Sequence, residues 1–96
     1  MNFRYKQDPI PLEWHAHWRH QFTLIWVGPE NDWRARRSEA THDAREAMIR
    51  ETERWGLEQF GLPDVNGLRR WYFAERLGRV YIKSGEDAFA FKLRFG

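Results

Sequence analysis

Apolar and polar residues alternate along the first third of the chain. The even positions are mostly apolar and the odd positions polar: Leu12, Trp14, Ala16, Trp18, Phe22, Leu24 and Trp26 alternate with His15, His17, Arg19, Gln21 and Thr23. A side-chain period of two is typical of a strand with one buried face and one solvated face. We therefore predict a strand from Leu12 to about Val27, ended by Gly28-Pro29.

This alternating run is much longer than a usual strand of about five or six residues. We expect a bend or bulge near Arg19-His20, which could divide the run into two strands. His20 interrupts the apolar side, and we expect it to be a hydrogen-bonded histidine in the core or at its rim. The rest of the even-numbered side should face the core, and the odd-numbered side should form an open face of the sheet.

A helical pattern follows the first strand. Ser38 is the best N-cap, and apolar residues then recur at spacings of three, four and seven: Ala40, Ala44, Ala47, Met48 and Trp55. This pattern predicts an amphipathic helix over residues 38–55. Gly56 is a plausible C-cap, although Leu57 and Phe60 could extend the helix by one further turn.

The last third of the chain predicts a hairpin and then an ambiguous segment. A strand around Arg69–Glu75 and a second over Arg79–Lys83 are joined by a turn at Leu77-Gly78. In the final segment Phe89, Phe91, Leu93 and Phe95 alternate with other residues, which indicates a strand. A helix capped by Ser84 would instead place Ala88, Phe91 and Phe95 on one stripe. Periodicity leaves both alternatives open.

These elements predict a single α+β domain over residues 1–96, in which residues 1–11 form an extended lead-in. The expected architecture is a two-layer sandwich, with one main helix on a mostly antiparallel sheet of three or four strands. The order is β-α-β-β followed by a helix or a strand. If the C-terminal segment is helical, the arrangement is close to ferredoxin-like.

The chain has 42% apolar and 17% aromatic residues, so its composition predicts a packed core that is rich in aromatic side chains. We expect Trp18, Phe22, Trp26, Trp55, Trp71 and Phe73 to be core residues. Six Trp and seven Phe exceed what one small core usually needs, so some aromatic side chains should be exposed. The candidates lie at the ends of the chain or in loops: Phe3, Tyr5, Trp14, Trp33 and Phe95.

The charge and the cysteine content exclude several classes of site. Sixteen basic and fourteen acidic residues leave a net charge of +2, which is weak evidence for a nucleic-acid partner. The absence of cysteine excludes disulfides, thiol catalysis and cysteine-based zinc sites. We find neither a membrane span nor a secretory signal, so we expect a cytoplasmic protein.

Candidates for catalysis or metal binding are few. Ser38 and Ser84 are the only serines, and neither has the spacing of a catalytic triad around it. His15 and His17 would lie on one side of a strand about 7 Å apart, but a metal would still need further ligands. We therefore expect no enzymatic activity, no metal site and no cofactor.

The richest candidate for binding is the loop before the helix. Trp33 is followed by Arg34, Arg36 and Arg37, next to a predicted helix N-terminus where backbone amides favour anions. Arg69 and Arg70 could extend this patch if the sheet brings them near. Aromatic and arginine side chains are typical anchors of interfaces. The alternative interpretation is a solvated loop with ordinary surface ion pairs.

The C-terminal residues resemble those of a known group of proteins. The ending Asp87-Ala88-Phe89-Ala90-Phe91-Lys92-Leu93-Arg94-Phe95-Gly96 follows a short strand that contains Tyr81-Ile82-Lys83. It resembles the C-terminus of many small uncharacterised proteins of tailed phages and prophages, which end in Asp-Ala, two variable residues, Phe-Lys-Leu and an aromatic residue. The resemblance implies a phage-type protein with a helical tail in a ferredoxin-like arrangement. It implies no activity.

We therefore expect a small non-catalytic protein-interaction module. A phage-encoded protein of this kind would act in the host cytoplasm by binding and modulating a host complex, for example an antiviral defence system. The alternative is a domain that binds RNA or single-stranded DNA. It would use His15, His17 and Arg19 on the open sheet face together with the loop over residues 33–37. An uncapped edge strand also leaves a homodimer open.

Overall fold

The computed structural model of the chain describes residues 3–10, 18–26, 39–64 and 69–95. Within these ranges, four strands and two α-helices follow one another, and a 3-10 turn over Glu75–Leu77 joins the third strand to the fourth. In chain order the elements are β1 (Phe3–Asp8), β2 (His20–Trp26), α1 (Glu39–Phe60), β3 (Trp71–Ala74), β4 (Arg79–Ile82) and α2 (Gly85–Phe95).

The four strands form one antiparallel sheet in the order β1-β2-β4-β3. Helix α1 connects β2 to β3, and β4 lies between these two parallel strands, which is the split β-α-β unit of ferredoxin-like folds. Strand β1 takes the edge position beside β2. The predicted α+β sandwich is therefore confirmed, with an additional N-terminal strand.

Residues 1–11 were expected to be an extended lead-in, and residues Phe3–Asp8 of this segment form strand β1, which the sequence analysis had not identified. The segment has only two aromatic residues on its inner side, Phe3 and Tyr5, so its own alternation is weak. Its residues pair with β2 in a continuous register from Phe3 opposite Trp26 to Asp8 opposite Gln21. Pairing with β2, a strand with a strong alternating pattern, therefore determines that these residues form β1.

One face of the sheet carries the main core, and both helices pack on it. The inner residues of the strands are Tyr5, Phe22, Leu24, Trp71, Phe73, Val80 and Ile82. Helix α1 contributes Met48, Ile49 and Phe60, and α2 contributes Ala88, Phe91 and Phe95. The even-numbered side of β2 faces the core as predicted, whereas the expectation that Tyr5 and Phe95 are exposed was wrong, since both are buried.

His20 lies at the rim of this core, as expected. Its Nδ1 is 3.3 Å from Nε2 of Gln7, and the two side chains form a hydrogen bond between β1 and β2. The ring is partly exposed. This histidine therefore ends the buried part of the strand and does not interrupt it.

Helix α1 continues beyond Gly56, the expected C-cap, and ends at Phe60. Gly56 is buried in the helix because the indole ring of Trp71 lies directly against its backbone. A Cβ atom at this position would be 2.3 Å from one carbon of that ring. The glycine therefore permits close packing between α1 and β3, and the helix ends one turn later.

The C-terminal segment is a helix, which settles the alternative that periodicity left open. The backbone N–H of Asp87 donates to Oγ of Ser84 at 3.1 Å, so Ser84 caps the helix as the helical interpretation required. The buried residues of α2 are Ala88, Phe91 and Phe95, the stripe expected for a helix. The side chains of Phe89 and Leu93, which a strand would have buried with them, point to solvent.

A buried polar pair links the sheet to α1. The hydroxyl of Thr52 donates a hydrogen bond to the carbonyl of Met48 at 2.7 Å. Its oxygen therefore accepts a hydrogen bond from the phenolic O–H of Tyr5 at 2.8 Å. Burial raises the pKa of Tyr5 to about 12 from an ordinary value of 10.0, although the positive charge of Arg45 opposes the shift. The folded protein therefore prefers the protonated phenol.

This pKa difference predicts a loss of stability in alkali. The stabilisation is complete below pH 10 and is lost as the pH rises from 10 to about 12, because the unfolded chain then releases a proton that the folded chain retains. A shift of this size corresponds to about 3 kcal/mol. We expect denaturant titrations across this range to show a smaller loss of unfolding free energy for Tyr5→Phe than for the wild type. Equal losses of unfolding free energy in the two proteins would contradict the assignment of this pH dependence to Tyr5.

Candidate functional site

The residues predicted to bind a partner divide into two groups. Six of them lie outside the described residues: His15, His17, Trp33, Arg34, Arg36 and Arg37. The predicted first half of the long strand and the Ser38 cap also lie there. The structure places the remaining three, Arg19, Arg69 and Arg70.

Arg70 is held by groups of the protein itself. Its guanidinium donates two hydrogen bonds to the carboxylate of Asp87, at 3.0 and 2.6 Å, and a third to the carbonyl of Gln59 at 3.3 Å. It also lies over the ring of Phe60, 5.2 Å from the centroid. The hydrogen bonds to Asp87 raise the pKa of the guanidinium. Arg70 thus connects the end of α1, the start of β3 and the first turn of α2.

Arg69 and Arg19 are exposed and contribute to the fold through their backbones. The N–H of Arg69 donates to Oδ1 of Asp64 at 2.8 Å, and the N–H of Asp64 donates to the carbonyl of Trp71 at 2.6 Å. The N–H of Arg19 donates to the carbonyl of Ile82 at 3.3 Å. Arg69 and Arg70 are adjacent in sequence, and the guanidinium of Arg70 is directed to Asp87 on α2.

Trp18 is buried in a hydrophobic cluster, as expected of a core residue, but this cluster lies on the sheet face opposite the helices. The chain bends at Arg19, near the predicted position, and this bend takes Trp18 off the inner face of β2. Its indole packs with the rings of Tyr72 and Tyr81, at centroid distances of 6.2 and 6.3 Å. Ile10 completes this second cluster. Trp18 and Tyr81 are both buried, so neither ring is a free platform for stacking.

The charged side chains of this outer sheet face are mainly basic. We call it the basic face and define it by the basic residues Arg4 and Lys6 on β1, Arg79 on β4 and Lys83 directly after β4. Strand alternation places Asp8 on the same side, and it is the only acidic residue at the described positions of this face. The ammonium of Lys83 lies 5.3 Å from the centroid of the Trp18 ring. Basic charge thus spreads across the sheet.

Two polar atoms at the centre of the basic face lack partners. The register places Lys6 opposite Thr23, Thr23 opposite Arg79 and Arg79 opposite Ala74, so these residues form one row across the four strands. Oγ1 of Thr23 and Nε of Arg79 are buried and make no hydrogen bond. Among the described residues, no carboxylate pairs with Arg79. A buried polar atom without a hydrogen-bond partner costs about 1–3 kcal/mol of folding free energy. A ligand that supplied a hydrogen-bond acceptor to this row would remove part of that cost.

A second surface lies on α2. The side chains of Phe89 and Leu93 are 63% and 73% exposed, and they are separated by one helical turn, so they lie side by side. Lys92 is exposed next to them and forms no ion pair with any described residue. We call these three residues the α2 surface. Its apolar side chains were not singled out from the sequence, because a strand and a helix place them on different faces.

A cavity of about 470 Å³ lies between the two helices, lined by Ala47, Met48, Glu51, Arg94 and Phe95. The Glu51 carboxylate at its wall accepts hydrogen bonds from Arg54 at 2.5 Å and from Arg94 at 2.6 Å. Two guanidinium groups therefore lie beside this carboxylate at the wall of the cavity.

No family model, curated protein or solved structure matches the chain. Within the described ranges, neither helix combines the length and apolar composition needed to cross a bilayer. The same ranges contain no group of three or more His, Cys, Asp or Glu residues placed to hold a metal ion. The basic face and the α2 surface are the two candidate binding surfaces of the described residues.

Proposed function

We propose that the chain is a small non-catalytic module that binds a protein partner through the α2 surface. The observation that carries this proposal is the exposure of Phe89 and Leu93, at 63% and 73%. The opposite side of the same helix is fully packed in the core. Two adjacent exposed apolar side chains on a rigid helix are suited to anchor an interface.

The charges around this surface indicate the chemistry of the partner. Asp87 is already paired with Arg70, and Glu51 is paired with Arg94. Lys92 has no such partner among the described residues and lies beside the apolar pair. A complementary partner surface would therefore be an apolar groove with a carboxylate that faces Lys92.

The resemblance to tailed-phage proteins includes Lys92 and Leu93 of this surface, whereas Phe89 occupies one of its two variable positions. Within the ending that carries it, Ala88, Phe91 and Phe95 pack in the core and Asp87 pairs with Arg70. Lys92 and Leu93 are exposed. As part of the proposal, we infer a phage-encoded protein that acts in the host cytoplasm on a host complex, such as an antiviral defence system.

Substitution of the apolar pair tests the proposal. We expect Phe89→Gln/Leu93→Gln to weaken binding of the host protein by at least about thirtyfold, since interface anchors contribute about 2 kcal/mol or more each. The fold should be unaffected, because exposed substitutions usually change stability by less than about 0.5 kcal/mol. The partner is isolated by affinity capture from host extract and purified, and its Kd is measured for each variant by calorimetry.

The matched control is Leu62→Gln/Leu77→Gln, which removes two leucines of similar exposure elsewhere on the surface. This control should retain the wild-type Kd. An unchanged Kd for the α2 variant, or the absence of any specific partner, contradicts the proposal. If the chain is a dimer that the α2 variant converts to a monomer, the occupant of the surface is a second copy, and the assignment of a host partner is wrong.

The alternative function, binding of RNA or single-stranded DNA, also has one favourable observation. The basic face lies where the open sheet face was expected, although the residues that carry its charge are different. Of the predicted residues His15, His17 and Arg19, only Arg19 is described, and it is exposed at the bend. The basic face lies on the side of the sheet opposite the helices, so the two functions can be tested separately.

A further inference from the structure

We propose that the basic face binds the phosphate groups of a single-stranded nucleic acid, and that the row Lys6, Thr23 and Arg79 is the centre of this site. The inference is independent of the α2 surface. It depends on the position of unpaired donors and on the distribution of charge over the sheet.

The central row offers three kinds of donor to one oxyanion. Directly opposed residues of neighbouring antiparallel strands have Cβ atoms about 4.5–5.5 Å apart, so the Lys6 ammonium, the Thr23 hydroxyl and the Arg79 guanidinium can reach a common acceptor. A phosphate oxygen can accept several such hydrogen bonds, and guanidinium groups bind phosphate in bidentate fashion. Rotation of the long Arg79 side chain would carry its buried Nε toward the ligand.

Ala74, which packs against the cluster around Trp18, ends the row on β3. Thr23 Oγ1 and Arg79 Nε are two of the three buried side-chain polar atoms without a hydrogen-bond partner among the described residues, and the third, Nε1 of Trp26, lies on the opposite side of β2. A bound phosphate would satisfy the two atoms of the row, and the free energy that their burial costs would be recovered on binding. The row is therefore better explained by a ligand with acceptor oxygens than by packing alone.

The spread of the charges favours a chain of phosphates over a single ion. Arg4 and Lys6 lie about 7 Å apart on β1, and Arg79 and Lys83 about 13 Å apart along β4, at about 3.3 Å per residue. These cations cannot converge on one phosphate. A flexible strand that crosses the sheet can contact them in turn, and the half-buried ring of Tyr72 at the β3 edge offers an aromatic contact to a base.

A duplex fits the basic face less well. A sheet of four strands is about 15–20 Å wide at 4.7–4.9 Å per strand, whereas the major groove is about 12 Å wide. Both helices lie on the other side of the sheet, so no helix is available to enter a groove from this face. We therefore assign the site to single strands.

The probe is a fluorescent oligothymidylate of about sixteen nucleotides, the upper site size of a small single-strand-binding fold. We expect the wild-type protein to bind it in anisotropy titrations. The affinity should fall by about tenfold to thirtyfold between about 50 and 200 mM salt if three phosphates are contacted. Absence of binding at the lower salt concentration overturns the proposal.

Variants of the row identify the site. Arg79→Gln and Lys6→Gln should each lower the affinity about tenfold, and Arg79→Lys, which keeps the charge but loses the guanidinium, should lower it by an intermediate factor. The control is Arg54→Gln, which removes the charge of an exposed arginine on α1, on the other side of the sheet. An equal loss for Arg54→Gln would show that net charge alone governs binding and would overturn the site.

Other occupants are outcomes of the same experiment. Saturable binding of inorganic phosphate together with failure to bind the oligothymidylate would assign the row to a free anion. Equal affinity for a poly-glutamate peptide of the same charge would assign the face to an acidic protein. Each result overturns the single-strand proposal. Phe89→Gln/Leu93→Gln should bind the oligothymidylate like the wild type, so failure of this site and failure of the α2 surface are distinguishable.

Discussion

Phe91→Ala is expected to destabilise the protein by about 3–5 kcal/mol, the usual cost of removing a large buried aromatic side chain. Phe91 is 1% exposed. Its ring centroid lies 5.0 Å from that of Tyr5 on β1, 4.6 Å from that of Phe22 on β2 and 6.0 Å from that of Trp55 on α1. The side chain therefore joins four elements, and a cavity at this place weakens all of their contacts.

A loss of this size is a large part of the total stability of a small domain, about 5–15 kcal/mol. Urea titration followed by tryptophan fluorescence and circular dichroism measures it. The matched control is Phe89→Ala, a substitution of the same residue type on the exposed side of the same helix, which should cost less than about 1 kcal/mol. Similar costs for the two variants would show that α2 does not pack as described.

Gly56→Ala is expected to destabilise the protein by about 1–3 kcal/mol, as overpacking of a close contact usually does. In an exposed helix the same substitution would stabilise by about 1 kcal/mol, because alanine has the higher helix propensity. Here the new Cβ would lie 2.3, 2.5 and 2.7 Å from three carbons of the Trp71 ring. A loss of stability would therefore show that the close contact with Trp71 dominates, and a gain would show that helix propensity dominates.

The Trp71 ring cannot easily move away from Gly56. Its Nε1–H donates to the carbonyl of Gly61 at 2.9 Å, and Phe73 stacks on it at 5.8 Å. We expect Trp71→Phe to reduce the additional cost of Gly56→Ala, so the two substitutions should be coupled in a double-mutant cycle. The control is Gly85→Ala, where a Cβ would meet nothing within 4 Å. A neutral or stabilising Gly56→Ala would contradict the close packing of α1 on β3.

The prediction from sequence succeeded where the pattern is local and strong. The even-numbered residues of β2, the helix α1 and the β3–β4 hairpin were assigned correctly because each has several apolar residues at one period. The capping hydrogen bond between Ser84 and Asp87 could likewise be predicted, since a cap depends on residues only three positions apart. The two interpretations of the C-terminal segment remained equal because Phe91 and Phe95 satisfy both periods.

The candidate sites were harder to predict. The basic face depends on which residues of β1, β2 and β4 lie opposite one another, and this register joins residues far apart in the sequence. Arg79 had no distinctive neighbours in the chain that could have singled it out. Arg70 was selected for its charge, yet its guanidinium pairs with Asp87, a residue that meets it only after α2 folds over the sheet. Its role in binding remains a prediction.

By itself, the sequence determined an α+β fold with an aromatic core, because alternation and helical spacing are local properties of the chain. The tertiary structure decided that residues 3–8 form a strand and that Trp18 lies opposite the helices. It also decided that α2 exposes Phe89 and Leu93 and that Lys6, Thr23 and Arg79 meet in one row. These features arise from pairing and packing between distant residues, which no local pattern contains.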